Sequence, residues 1–239
     1  MFSHSQLRKE AFQLLRHAQV SLPLYAGLLL VIKLILNAAD TLCSGLTYQD
    51  LFSSGISGMF VFVLTGLIGL LLDMGRVEYC SRVRRGEEAE YNDLFWGFSY
   101  VFKVLSVFFL QAFLISLGFS FFLIPGVILS YRYRFALYIL SEDPSLGTIE
   151  ILRRSGEETS GFKMQIFLLD MNFLGVAFLA MLPIVLWPAL APASVPALVD
   201  TLVTTLMTFP LLLVSFWSTA AEMSLREKIL SIKSGSVQF

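Results

Sequence analysis

The sequence predicts an all-α fold: a polytopic transmembrane helical bundle of about six spans, with amphipathic helices on its cytoplasmic face. Three observations predict it. Of 239 residues, 56% are hydrophobic and only 15% charged, with a mean hydropathy of +0.74; soluble domains carry about 25% charge. Apolar runs recur at lengths that suit a bilayer. Lysine and arginine outside those runs fall only in alternate connections, which is the pattern that orients helices in membranes.

In chain order, residues 5–18 come first. Leu7, Ala11, Leu14, Leu15 and Ala18 share one helical face, with Arg8, Lys9, Gln13 and Arg16 elsewhere on the wheel. This predicts an interfacial helix at anionic headgroups, or one docked on the protein's own loops. The first span is 22–39. It is expected to stay uncleaved, because Lys33 interrupts it and a helical pattern precedes it. A polar loop, 40–57, contains no Lys or Arg. The second span, 58–72, is short, and Thr65 with Gly69 forms a small-residue pair suited to helix packing.

Arg76, Arg82, Arg84 and Arg85, then Glu87, Glu88, Glu90 and Asp93, mark a charged helical extension and solvated loop. The third span is 100–124. Pro125-Gly126 predicts the outer turn into the fourth, 127–140. Asp143 and Pro144 read as N-cap and first residue of a cytoplasmic helix, 144–160, that ends at Gly161. The fifth span is 165–187, followed by a loop punctuated by Pro188, Pro192 and Pro196. The sixth is 197–221, with a kink at Pro210, and 223–239 is expected as a cytoplasmic tail. Both termini then lie in the cytoplasm. Cys43 and Cys80 fall on opposite sides, so no disulfide joins them.

The net charge of −1, with dispersed basic residues, excludes a nucleic-acid surface. His4 and His17 have no acidic or cysteine neighbours at metal-ligand spacing, and no motif for a metal, cofactor, phosphate loop or catalytic nucleophile is present. What remains are ionisable residues within expected spans: Lys33, Arg132, Arg134 and Asp170. Arg134 lies ~12 Å and Asp170 ~10 Å from the cytoplasmic ends of their spans at 1.5 Å per residue. The matching depths predict an Arg134–Asp170 pair, with Arg132 as second choice. Such a pair either fixes how spans four and five pack or forms a polar site for an anionic headgroup or coupled ion. Lys33 is expected to snorkel to the outer face.

Ile124-Pro125-Gly126-Val127-Ile128, then Tyr131, Tyr133 and the run Tyr138 to Pro144, resembles the signature of the domain-of-unknown-function 975 family. Ser155, Gly161-Phe162-Lys163, the run Phe167 to Gly175 and the run Asp93 to Phe98 are similar to other segments of it. From Trp187 onward the chain departs from the pattern. The resemblance implies a multi-pass protein of the bacterial cytoplasmic membrane, mostly Gram-positive, and supplies no catalytic residues.

The sequence thus points first to a non-enzymatic scaffold, regulatory or partner-binding module that meets the lipid bilayer, anionic phospholipids included, and a protein partner on its cytoplasmic face. A transporter or lipid-handling protein using the Arg/Asp site is the alternative, and a membrane-embedded enzyme the third reading.

Overall fold

The computed structural model describes residues 4–16, 22–47, 54–192 and 195–235. Among them the chain forms α1 (His4–Arg16), α2 (Leu22–Thr47), α3 (Ser54–Arg85), a 3-10 turn (Tyr91–Phe95), α4 (Trp96–Ser99), α5 (Val101–Phe121), α6 (Leu123–Arg132), α7 (Ala136–Glu142), α8 (Thr148–Thr159), α9 (Lys163–Leu190), α10 (Ala197–Met207) and α11 (Phe209–Lys233), with no strand. Among the described residues, five stretches are long and apolar enough to cross a membrane: Leu22–Leu42, Val101–Phe121, Leu123–Glu142, Lys163–Leu190 and Ala197–Lys233. The expected span 58–72 lies within α3, and part of it falls on residues whose side chains lie outside the described set. The Cys43 side chain, His17, residues 48–53, residues 193–194 and residues 236–239 also lie outside it.

The spans leave most of their apolar surface uncovered; in the most apolar window of α9 only 6% is buried. So large an exposed apolar area suits a hydrocarbon surrounding and not water. Burial concentrates instead at one end, in a charged layer built from α1, the C-terminal half of α3, α7, α8 and the C-terminal half of α11. There Leu72, Met74, Leu94, Phe135, Leu140, Ile151 and Leu225 are fully enclosed. The Tyr25, Tyr79 and Phe216 rings, 4.3 to 5.7 Å apart, tie α2, α3 and α11 together at the entrance to this layer.

Several expected boundaries are corrected. The loop 40–57 is partly helical, because α2 runs on to Thr47 and α3 starts at Ser54. The turn between α5 and α6 is a single extended residue, Phe122. Pro125 and Gly126 sit just after it in the first turn of α6, where proline's missing N–H costs nothing. Gly126 packs on Gly118: a Cβ on Gly118 would lie 3.0 Å from the Gly126 Cα. Asp143 does not cap a helix. Its carboxylate accepts from the Ser145 N–H at 3.1 Å in a local turn, and α8 begins later, behind Gly147. Gly161 does end the segment, with φ +83°. Pro188 lies inside α9. The chain breaks at Thr208, so Pro210 stands in the first turn of α11. The expected tail from residue 223 is instead part of α11, and residues 220–226 are all buried.

Candidate functional site

Two polar groupings lie where apolar side chains dominate. The first centres on Arg134. Its Nε donates to Glu222 Oε2 at 3.1 Å and its Nη2 to Glu222 Oε1 at 2.6 Å. The contact to Asp170 Oδ1 is longer, 3.4 Å. Tyr138 donates to Glu222 at 2.6 Å and Tyr131 to Asp170 at 3.1 Å. The expected pair is therefore present but secondary. Glu222, 5% exposed at its side chain, is the principal partner. Ending the sixth span at Ala221 hid it. The helical spacing from Ser215 through Thr219 to Glu222 is the signal that would have carried the polar face of α11 that far.

Arg134 reaches this position because the helix is broken. Tyr133 and Phe135 leave α geometry between α6 and α7, and α8 meets the freed backbone groups. Ser155 Oγ donates to the Arg132 carbonyl at 3.0 Å and accepts from the Phe135 N–H at 3.2 Å. Thr159 donates to the same carbonyl at 3.1 Å. Arg132, the second choice for Asp170, turns away. Its guanidinium lies over Gly156, where an added Cβ would stand 2.7 Å from its Nε.

The second grouping is a cavity of about 480 Å³ between α2, α3, α10 and α11. Lys33, Asp73 and Arg76 line it together with Asn37, Thr65, Thr205, Thr208 and Ser215. Lys33, expected to snorkel to the outer face, lines this space. It forms no ion pair among the described residues. Arg76 reaches Asp73 only at 3.8 Å, and its buried Nε has no partner among the described residues. Thr65 and Gly69 also line the cavity, and a Cβ on Gly69 would touch nothing within 4 Å. The small-residue pair therefore opens space where packing was expected. Helix approach happens lower on α3, at Gly75, where a Cβ would lie 2.2 Å from the Leu94 carbonyl oxygen. Beyond the cavity a polar seam continues between α2 and α10: Asn37 donates to Thr205 at 3.0 Å, and Thr41 and Thr201 hydroxyls meet at 2.8 Å. Asp200, absent from the expected set, accepts from the Trp187 indole at 2.6 Å.

Leu211 and Ser215 border both this cavity and a smaller cleft, about 260 Å³, onto which Arg134, Asp170 and Glu222 open. The two polar groupings thus adjoin the same turn of α11, Leu211 to Ser215.

The family described as protein of unknown function DUF975 matches residues 121–192. That stretch holds the α5–α6 turn, Arg132, Arg134, Ser155 and Asp170. Glu222, and the cavity residues of α2, α3, α10 and α11, lie outside it. No curated protein and no solved structure matches the chain.

Proposed function

We propose that the chain is a six-span protein of a bacterial cytoplasmic membrane that holds the polar, anionic part of a ligand inside its bundle, as a lipid- or solute-handling module. In this reading the charged layer and both termini face the cytoplasm. The cavity that carries Lys33, Asp73 and Arg76 supports it. Two cations face one acid there, and the buried Arg76 Nε has no partner among the described residues. Ionisable groups at membrane depth are costly and are normally paired or functional. An anion between Lys33 and Arg76 balances the surplus positive charge of the cavity. The hydroxyls of Thr65, Thr205, Thr208 and Ser215 suit a hydroxylated or phosphorylated headgroup, and Leu36, Leu211 and Leu212 an attached apolar chain.

The test has two arms. With Cys43 and Cys80 replaced by serine, Thr65→Cys or Thr205→Cys should react with a membrane-impermeant thiol reagent added from the cytoplasmic side. Native mass spectrometry of the purified chain should retain an anionic species that Lys33→Leu with Arg76→Leu releases. Unreactive cysteines and no released species would sink the reading.

A scaffold or partner-binding role is the second reading. In the charged layer Arg226, Arg84 and Lys228 pair with acids of the same chain, which makes a rigid platform. Ile149 projects from it on α8, 76% exposed. A cytoplasmic partner whose binding is lost in Ile149→Glu supports that role.

A further inference from the structure

A third polar hollow, about 310 Å³, is bordered by Arg132, Arg153, Gly156, Glu157, Ser160 and Lys163. It is separate from the cavity above and involves none of the same residues. Three cations face one acid. Glu157 is engaged by Arg153 at 3.8 Å, and Arg153 also reaches Glu150 at 2.9 Å. Arg132 and Lys163 have no acidic partner and no side-chain hydrogen bond among the described residues. Unpaired cations that line one hollow repel each other, and an anion between them removes that cost.

The position in the fold sharpens this. Lys163 is the first residue of α9 and opens the apolar stretch Lys163–Leu190, while Arg132 is the last residue of α6, next to the helix break that α8 covers. The N-terminal amides of α9 add partial positive charge on the same side. Gly156 is the residue that lets the Arg132 side chain come this close to α8, since a Cβ there would stand 2.7 Å from its Nε. Arg132 also lies over the Tyr133 ring, 5.9 Å from its centroid, and makes no ion pair among the described residues. Ser160 adds a hydroxyl donor.

We infer that Arg132, Lys163 and Arg153 form a phosphate-binding site at the membrane surface, with Ser160 as an additional donor. A planar guanidinium beside an ammonium suits the oxygens of a phosphate ester. Basic pockets of this kind at the cytoplasmic ends of transmembrane helices hold anionic headgroups. The phosphate is that of an inner-leaflet phospholipid or of a soluble phosphate compound, and experiment separates the two.

The full chain is placed in nanodiscs of phosphatidylcholine with and without phosphatidylglycerol, and co-purifying lipid is counted by native mass spectrometry. A second arm titrates inorganic phosphate into delipidated protein in detergent and follows the thermal midpoint. Arg132→Gln with Lys163→Gln is compared with Arg154→Gln, a charge change outside the hollow. A lipid site retains phosphatidylglycerol in preference to phosphatidylcholine, and the double variant weakens that retention about tenfold or more; Arg154→Gln leaves it intact. A soluble-phosphate site shows a midpoint shift with phosphate that the double variant loses, without lipid preference. Should the double variant fail to fold, the rate of Lys163 acylation in the wild-type chain decides, slowed by phosphatidylglycerol or phosphate and unaffected by phosphatidylcholine. Binding of both probes by the double variant as by wild type, or by neither protein, overturns the site. The cavity at Lys33 and Arg76 is untouched by these changes, so the two proposals fail independently.

Discussion

Arg134 and Glu222, 88 residues apart in the chain, make the double contact that joins the broken helix α6–α7 to α11. Asp170 stands on the same guanidinium at longer range. The difference in burial separates the two acids: Glu222 is 5% exposed at its side chain, and Asp170 28%.

Removing Glu222 therefore costs more than removing Asp170. Glu222→Gln leaves Arg134 without its main acceptor and Tyr138 with a weaker one, and is expected to destabilise by about 2 kcal/mol. Asp170→Asn is expected to cost under about 1 kcal/mol. Arg134→Met combined with Glu222→Gln should recover part of the loss. Unfolding of the purified single and double variants in one detergent measures the cycle, and equal losses for the two acids would show that Glu222 is not the principal partner.

Gly75 and Gly97 fix how the 3-10 turn and α4 lie on α3. A Cβ at Gly97 would stand 2.3 Å from the Leu71 carbonyl oxygen, and one at Gly75 2.2 Å from that of Leu94. Backbone cannot yield as a side-chain tip can, so Gly75→Ala and Gly97→Ala are each expected to cost at least about 1–3 kcal/mol. Gly66→Ala and Gly175→Ala, which meet nothing within 4 Å, should be neutral or slightly stabilising. Thermal midpoints of the four variants check this, and a tolerated Gly75→Ala would refute the close approach.

Arg226 is the central cation of the charged layer. Its guanidinium donates to Glu142 at 2.6 and 2.9 Å and to Glu158 at 2.6 and 3.0 Å, and its side chain is 7% exposed. Arg226→Met leaves two acids facing each other without a counter-charge, and is expected to destabilise by about 3 kcal/mol. Arg226→Lys keeps the charge but cannot serve both carboxylates as a fork does, and should rescue only part. Limited proteolysis reads the loss directly, as faster cleavage in residues 143–147.

The all-α class and the apolar stretches were legible because hydropathy over about twenty residues is a local property. The polar groupings were legible only in part. Arg134 and Asp170 stood out as charges within apolar runs, but Glu222 and Arg226 sit where α11 leaves the apolar stretch, and a charge there looks like the start of a tail. Their burial comes from α1, α3, α7 and α8 closing around them, a long-range outcome that hydropathy does not encode. The helix break at Tyr133 was hidden for a related reason. No proline or glycine marks it, and the hydroxyls of Ser155 and Thr159 that sustain it lie 20 or more residues away.

Ser155 tests that break. It is fully buried and serves both the Arg132 carbonyl and the Phe135 N–H. Ser155→Ala removes both bonds and leaves a buried amide unmet, with an expected loss of about 1–3 kcal/mol. Ser155→Thr keeps the hydroxyl and should lose less, limited by space for the methyl. Hydrogen exchange at Phe135 should quicken in Ser155→Ala, and unchanged exchange there would mean that the amide does not depend on the hydroxyl.

Glu78 makes stability depend on pH. It lies in the charged part of α3, beyond the expected span, and is buried. One carboxylate oxygen accepts from Arg82 at 3.0 Å and Arg85 at 3.4 Å; the other has no partner among the described residues. Burial raises its pKa above the usual glutamate range, and Arg82 and Arg85 offset this only in part. The folded state then binds more protons than the unfolded one just above the ordinary value of about 4.3, so stability falls as pH rises through that window and levels off above the raised pKa. Glu78→Gln removes this contribution. Its unfolding midpoint should change less than that of wild type between about pH 4 and about pH 7, and at neutral pH should equal or exceed it. A variant clearly less stable than wild type at neutral pH would show that the two arginines outweigh the cost of burying the charge.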